Sequence, residues 1–558
     1  MAAPKNSGRS PAVRQTQYGP IEGVDDAVRS GTHYWLGVPY AKPPVGALRW
    51  RAPQDPSPWT SRISTTVFAN ACVQYGTRGG PGANNAYDTS IAALLNQTVG
   101  SEDCLYLNIW RPANDAVDLP VIVFLHGGYN VSGYTADPMY NGANLARVTN
   151  AVIVTVGYRL GVFGWLSLPQ LKIGSADNDS GNFGTLDTVK ALEWVNHNIE
   201  EFGGSAHNVT IMGQSAGAIN AWALMVAAPT RNATLFHRLI ALSGGISLAS
   251  NLPAGSLPCL FPAPYYAAQG IGLLHNLVIA DGEATDEASA AAYVATLTSS
   301  QVADYLRAQK PATILTILLT KLLPMGLGVS GPIPDGAMLP TDPIASISKG
   351  AYAMVPVLAG NTRDEGKLFG HLLALSPALG GASGYAVSDA ERFLMEYNFD
   401  PDGASELNVA SLISARYLPV QAPETGYNVK TALLSNIFMF ANRDNILNTL
   451  KTRQPNIWHY QFDWAQEPAP WNDVYGAAHE FDLLFIFGNF GPSVFANVIG
   501  GNANRHGRIA LSEAMMASIA AFARNGDPNN DSLGVAWPTW PKKLVFDANL
   551  TDKTIRVE

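Results

Sequence analysis

The feature that most restricts the fold is a set of short runs with no polar face. Leu119–Leu125 (LPVIVFL), Ala151–Val156 (AVIVTV), Val209–Met212 (VTIM) and Arg238–Leu242 (RLIAL) are apolar at odd and even positions alike. Successive side chains of a strand point to opposite sides, so these runs predict strands buried on both faces. Between the second and third lies Thr185–Glu201, whose Leu186, Val189, Leu192 and Val195 recur at helical spacing. Val355–Ala359 and Ile457–Phe462 fit further strands. Strand alternating with helix predicts an α/β fold, a large and mostly parallel sheet flanked by helices. The stretches from about 250 to 350 and from about 370 to 455 read as helical insertions that cap one edge of the sheet. With no repeat and no long linker, residues 16–558 read as a single domain behind a flexible N-terminus of residues 1–15.

The chain has 558 residues, 47% hydrophobic and 14% charged, enough to build a large core. A net charge of −9 gives no electrostatic case for nucleic acid or for an anionic membrane surface. The most apolar stretch, Ala312–Val329, is interrupted by Lys321 and Pro324 and is too short to cross a bilayer, so stable membrane insertion is not expected. It reads instead as a buried or pocket-lining helix. The first fifteen residues lack the apolar core of a signal peptide. Seven Asn-x-Ser/Thr sequons (Asn96, Asn130, Asn178, Asn208, Asn232, Asn530, Asn549) favour a glycosylated, secreted protein, the alternative being cytoplasmic. The three cysteines fit neither a disulfide scaffold nor a zinc site, and neither metal nor organic cofactor is called for. Oligomeric state leaves no trace in the sequence.

One motif carries chemistry. Val209–Asn220, VTIMGQSAGAIN, sets Ser215 between Gly213 and Gly217 after a buried strand and before the helix-compatible run Ala216–Ala227. A tight strand-to-helix turn of this kind holds a serine hydroxyl out as a nucleophile, and glycines flank it because strand and helix leave no room for a Cβ. Such a serine needs a base, an orienting acid and donors for an oxyanion. Gly127 and Gly128 in Leu125–Asn130 (LHGGYN) let backbone N–H groups point at a carbonyl oxygen. Of ten histidines, His479 stands apart, in a loop of small residues (YGAAH) before Glu480–Phe487. The acid lies in Gly360–Gly366 (GNTRDEG), where spacing leaves Asp364 and Glu365 both open.

These blocks resemble the type B carboxylesterase and lipase family, the cholinesterase-like branch of the α/β-hydrolases. The resemblance runs nearly end to end, through LGVPYAKPPVGALRW (Leu36–Trp50), SEDCLYLNIW (Ser101–Trp110), NFGTLDTVKALEWVNHNIEEFGG (Asn182–Gly204), VTIMGQSAGA, GPIPDGAMLP (Gly331–Pro340), GNTRDEG, GAAHEFDLLFIFG and FARNGDPN (Phe522–Asn529). It implies an α/β-hydrolase fold with Ser215 as nucleophile, Glu365 as acid and His479 as base. The oxyanion hole would then be the N–H groups of Gly128, Tyr129 and Ala216. It further implies a Cys72–Cys104 disulfide and two structural ion pairs, Arg159 with Asp187 and Arg49 with Glu102.

Departures from the family pattern narrow the expectation. A third glycine of the oxyanion loop is replaced by Tyr129, whose side chain must reshape the pocket and lower tolerance of tertiary-alcohol esters. Gln214 stands where cholinesterases carry Glu, and the loop between Cys72 and Cys104 has no Trp, so choline esters are not expected. Cys259 has no second-disulfide partner. The expected function is a serine hydrolase acting on a small-molecule carboxylic ester through an acyl-enzyme, of general carboxylesterase type. The alternatives are a lipase or sterol esterase, with the Cys72–Cys104 loop as lid, and a biosynthetic acyl-transfer or cyclising enzyme. A non-catalytic binding relative is disfavoured by the intact Ser215, Glu365 and His479.

Overall fold

A computed structural model describes residues 12–77, 80–82, 97–232, 235–375, 387, 400–403, 407–493 and 495–558. Among them, eleven strands form one sheet: β1 (Val24–Asp26), β2 (Thr32–Pro39), β3 (Tyr106–Pro112), β4 (Leu119–Leu125), β5 (Val152–Val156), β6 (Gly204–Gln214), β7 (Arg238–Leu242), β8 (Val357–Thr362), β9 (Ile457–Phe462), β10 (Leu544–Ala548) and β11 (Lys553–Val557). Across the sheet the order is β11-β10-β9-β8-β7-β6-β4-β5-β3-β2-β1. Pairings from β10 to β5 are parallel and those at both ends antiparallel, so the sheet is mixed with a parallel centre. The first strand of the chain, Val13–Thr16, pairs with Gly19–Glu22 and begins inside the stretch expected to be flexible.

The two-faced apolar runs are explained by two cores. Val121, Val123 and Leu125 of β4 join Val152, Val154, Val209, Ile211, Leu239 and Val357 on one side. Ile122 and Phe124 of the same strand face Ile153, Met212, Ile240, Leu358 and Trp458 on the other. The first core is covered by helices α1 (Phe183–Asn198) and α2 (Ala216–Val226), through residues such as Leu192, Val195 and Leu224. The second is covered by α3 (Phe481–Phe487) and α4 (Arg505–Asn525), through Phe485, Met515 and Phe522. Both faces are thus withdrawn from water, as parallel strands require.

Ala312–Val329 is not the single buried helix its composition suggests. Helical hydrogen bonding runs over Pro311–Ile317, widens over Leu318–Leu322, tightens at Leu323–Met325 and ends at Gly326, which takes a φ of 75°. Ile314 and Leu322 are buried, but Leu323 and Met325 are 52% and 65% exposed, so only one side packs. The expected disulfide is formed between Cys72 and Cys104, while residues 83–96 of the loop it closes, Asn96 among them, lie outside the described residues. Both ion pairs are present: the Arg159 guanidinium grips Asp187 at 2.7 and 2.8 Å, buried, and Arg49 grips Glu102. Asn130 is 1% exposed and accepts the Asn220 amide at 2.8 Å, so its sequon is not open to a glycan.

Candidate active site

Strand register brings the candidate residues to one edge. Gly213 of β6 lies beside Leu125 of β4, Gln214 beside Leu242 of β7, and Leu242 beside Gly360 of β8. The segments leaving the C-terminal ends of these strands therefore emerge together, where open parallel sheets place their sites. They carry His126–Asn130, Ser215, Ser243 and Arg363–Glu365.

Ser215 occupies the turn from β6 into α2 with φ 55° and ψ −121°, left-handed backbone rare outside glycine. Its N–H is tied to Leu242 O at 2.8 Å, which holds the strained turn against the sheet. A Cβ on Gly213 would lie 2.1 Å from Gly217 O, and one on Gly217 would lie 2.0 Å from Leu125 O, so both glycines are required by close approach.

The structure separates the two acids that spacing left open. Glu365, fully buried, turns Oε2 to His479 Nδ1 at 2.5 Å. Its Oε1 accepts from the Ser243 hydroxyl (2.6 Å), the Asn361 amide (2.9 Å) and the Thr362 N–H (3.0 Å). Burial alone would raise this carboxyl, but the imidazole and the hydrogen bonds outweigh it and hold the group below its ordinary value. Burial would likewise lower His479, and the facing Glu365 carboxylate overrides it and raises the imidazole. Asp364 serves the backbone instead. Its N–H donates to Ala477 O (2.9 Å) and its Oδ2 accepts from the Ala477 N–H (3.0 Å) and from Arg363 (2.7 Å).

His479 does not project freely from its loop of small residues. The ring is 2% exposed and packs against Phe369 with centroids 4.7 Å apart. No hydrogen bond joins it to Ser215 among the described residues; Gln214 Nε2 lies 3.1 Å from its Nε2.

Gly128, Tyr129 and Asn130 take positive φ in succession (101°, 56° and 59°). The turn closes on Gly128 O, which accepts from Val131 and Ser132, and a Cβ on Gly128 would meet Ser132 O at 2.3 Å. The N–H groups of Gly128, Tyr129 and Ala216 find no acceptor among the described residues. Ala216 opens α2, where an unpaired N–H is inherent to the helix end. The Tyr129 side chain is 47% exposed and meets Phe369 edge-on, centroids 5.8 Å apart, which walls the same space with aromatic surface.

Ser243, Asn361, Phe369 and the Gln214 contact were not found from the sequence. Only Ser243 left a signal, as the first residue after a buried strand beside that of Ser215. Among the described residues no group of three or more His, Cys, Asp or Glu is placed to hold a metal.

A serine turn, a carboxylate-held imidazole and a set of unpaired N–H groups on one sheet edge suit acyl chemistry. The model of the carboxylesterase family matches residues 10–555. The chain belongs to the carboxylesterase family. It is a carboxylic ester hydrolase with the α/β-hydrolase fold. Para-nitrobenzyl esterase of Bacillus subtilis (strain 168) is 29% identical over 96% of this chain and 95% of its own. Fumonisin B1 esterase of Sphingopyxis macrogoltabida is 31% identical over 95% of this chain and 85% of its own. A solved PNB esterase superposes with a TM-score of 0.71 at 26% identity, covering 98% of this chain and 97% of that one.

Proposed function

We propose that this carboxylesterase attacks its ester through Ser215, with His479 as general base and acid and Glu365 as the residue that orients the imidazole. The observation that carries the reading is the contact of Glu365 Oε2 with His479 Nδ1. It fixes the tautomer with its proton on Nδ1 and leaves Nε2, on the side of the Ser215 turn, to take a proton. When an ester seats, the Ser215 hydroxyl gives its proton to Nε2 as oxygen attacks the carbonyl. The oxyanion that forms is received by the N–H groups of Gly128, Tyr129 and Ala216. One such donor is worth about 3–4 kcal/mol of barrier in enzymes of this chemistry. His479 then protonates the leaving alcohol, and water, activated the same way, releases the acid from Ser215.

The chain is further read as a general carboxylesterase of small, soluble esters. A p-nitrophenyl series from acetate to palmitate tests this on the protein and its Ser215→Ala variant. Rates that peak at short chains and vanish in the variant are expected. A peak at long chains would make it a lipase, and no turnover of any ester would favour acyl transfer. We also infer an oxidising, extracellular setting, supported by the Cys72–Cys104 bond and by the exposure of two sequon asparagines, Asn232 and Asn549. Fully reduced cysteines in protein taken from its native source would overturn that.

A further inference from the structure

We propose that Gln214 is a positioning residue for His479: its carboxamide engages the proton-accepting nitrogen of the imidazole and does so without bringing a charge. The inference rests on the reading of His479 as the base.

Gln214 is the last residue of β6 and is 1% exposed. A Cβ on Gly127 would come within 2.5 Å of its Oε1, so the side chain lies tight against the Gly127 backbone. Packed that way, its Nε2 faces His479 Nε2 at 3.1 Å. Glu365 holds the opposite nitrogen, so the ring is clamped at both ends, by the last residue of β6 and by the segment that leaves β8. With the proton on Nδ1, Nε2 carries a lone pair, and the amide N–H donates to it. Ser215, next in sequence, therefore finds Nε2 already engaged and takes the amide's place when substrate seats.

The neutrality of that partner is the consequential point. The ring is faced by the Glu365 carboxylate across Nδ1, and by Glu480 and Asp482 on its own segment. Behind them stand groups that keep their protons: the Cys259 thiol, pushed up to about 12 by burial and by Glu365, and the Tyr140 hydroxyl bonded to Glu480. Phe369 covers the ring with no charge. The three carboxylates that face the ring, Glu365, Glu480 and Asp482, each favour, when ionised, imidazolium, which is useless as a base. A carboxylate at position 214 would add another at hydrogen-bond distance. An amide of the same shape keeps the contact and omits the charge, and its N–H stabilises the unprotonated ring.

The experiment is the pH dependence of kcat/KM for p-nitrophenyl acetate, from about pH 5 to about pH 9, for the protein, Gln214→Glu and Gln214→Met. The isosteric Glu variant should move the acidic limb upward by roughly 1–3 units, a loss of about tenfold or more at pH 6 relative to its own plateau. Met, which neither donates nor carries charge, should move it the same way by less than half as much. An NMR titration of the His479 ring proton in the same proteins should show the same order, and does not depend on turnover. Acidic limbs and ring titrations that coincide in all three proteins would overturn the inference, whatever the plateau rates do. If Ser215→Ala and His479→Ala kept full activity, the base assignment itself would fall. If they abolished it while the limbs coincided, only the role of Gln214 would.

Discussion

The carboxylate of Asp364 holds the backbone of Ala477, accepting its N–H at 3.0 Å, while the next residue along, Glu365, holds the ring of His479. Two adjacent acids thus grip one loop, the first by its main chain and the second by its side chain. Asp364→Ala would leave a buried N–H unpaired and release Arg363, at a cost of about 1–3 kcal/mol. We expect kcat to fall roughly 10–100-fold, with KM changed less than about threefold, because the imidazole is misplaced and the binding surface is not. Asp364→Asn, which keeps an acceptor, should recover most of the loss. Steady-state kinetics with the melting temperature of each variant decides this; full activity in the alanine variant would refute it.

Ser243 donates to Glu365 Oε1 at 2.6 Å. A hydrogen bond to a charged group contributes about 1.5–3 kcal/mol, so Ser243→Ala should lower kcat about 10-fold or somewhat more. Glu365→Gln, which disturbs the tautomer itself, should lower it by roughly 10⁴. If the two variants lost activity equally, Ser243 would have to act on more than the carboxylate.

Tyr129, half exposed and leaning on Phe369, is expected to restrict the alcohol side of the pocket. Tyr129→Gly removes the side chain and suits the backbone, which sits at φ 56°. Turnover of tert-butyl acetate relative to n-butyl acetate should rise by about an order of magnitude, or roughly 1.4 kcal/mol. Efficient cleavage of the tert-butyl ester by the unaltered enzyme would refute the restriction.

His459 lies in the middle of β9, fully buried, with no hydrogen-bond partner for either ring nitrogen among the described residues. Burial, with Arg443 and Lys543 nearby, holds it well below its ordinary value. The folded protein keeps this ring neutral, whereas the unfolded chain binds a proton below about pH 6.5. The stability it permits is therefore complete above that pH and declines as pH falls from there towards the folded value. In His459→Phe the gain in melting temperature over the parent should grow from about pH 7 to about pH 5. A pH-independent difference would show that the ring's charge plays no part.

Cys72 and Cys104 are 32 positions apart and joined. Replacing both by alanine should cost roughly 3–4 kcal/mol in the chain-entropy account. Denaturant unfolding of the double variant measures it, and a loss under about 1 kcal/mol would mean that the unfolded chain is not restrained by the bond.

Much of this could be read in the sequence where a steric demand forces a residue type. Arg238–Leu242 and Ile457–Phe462 were placed to the residue, because strands buried on two faces admit little else. Gly213 and Gly217 marked the serine turn for the same reason. The end of β6 ran on past Met212 to Gln214, since glycine and glutamine carry no strand pattern of their own. Ala312–Val329 misled because leucine content reports burial on average and not which side packs. Spacing could not divide the tasks of Asp364 and Glu365, for neighbouring carboxylates differ only in where the chain turns them. Ser243, Asn361 and Phe369 stayed hidden because they act through contacts that exist only once three strand ends meet.

The pairing of Leu242 with Gly360 has a consequence for how this enzyme can fail. Moving β8 by one residue along β7 would displace Glu365 by about 3.3 Å. That is more than the 2.5 Å separating its carboxylate from the imidazole. It would also turn the strand's two sets of side chains to the wrong cores. A molecule misaligned in this way would be inactive and unstable together. Hydrolytic activity in a population of these chains should therefore count the correctly assembled ones, and a partly active misfold has nowhere to exist.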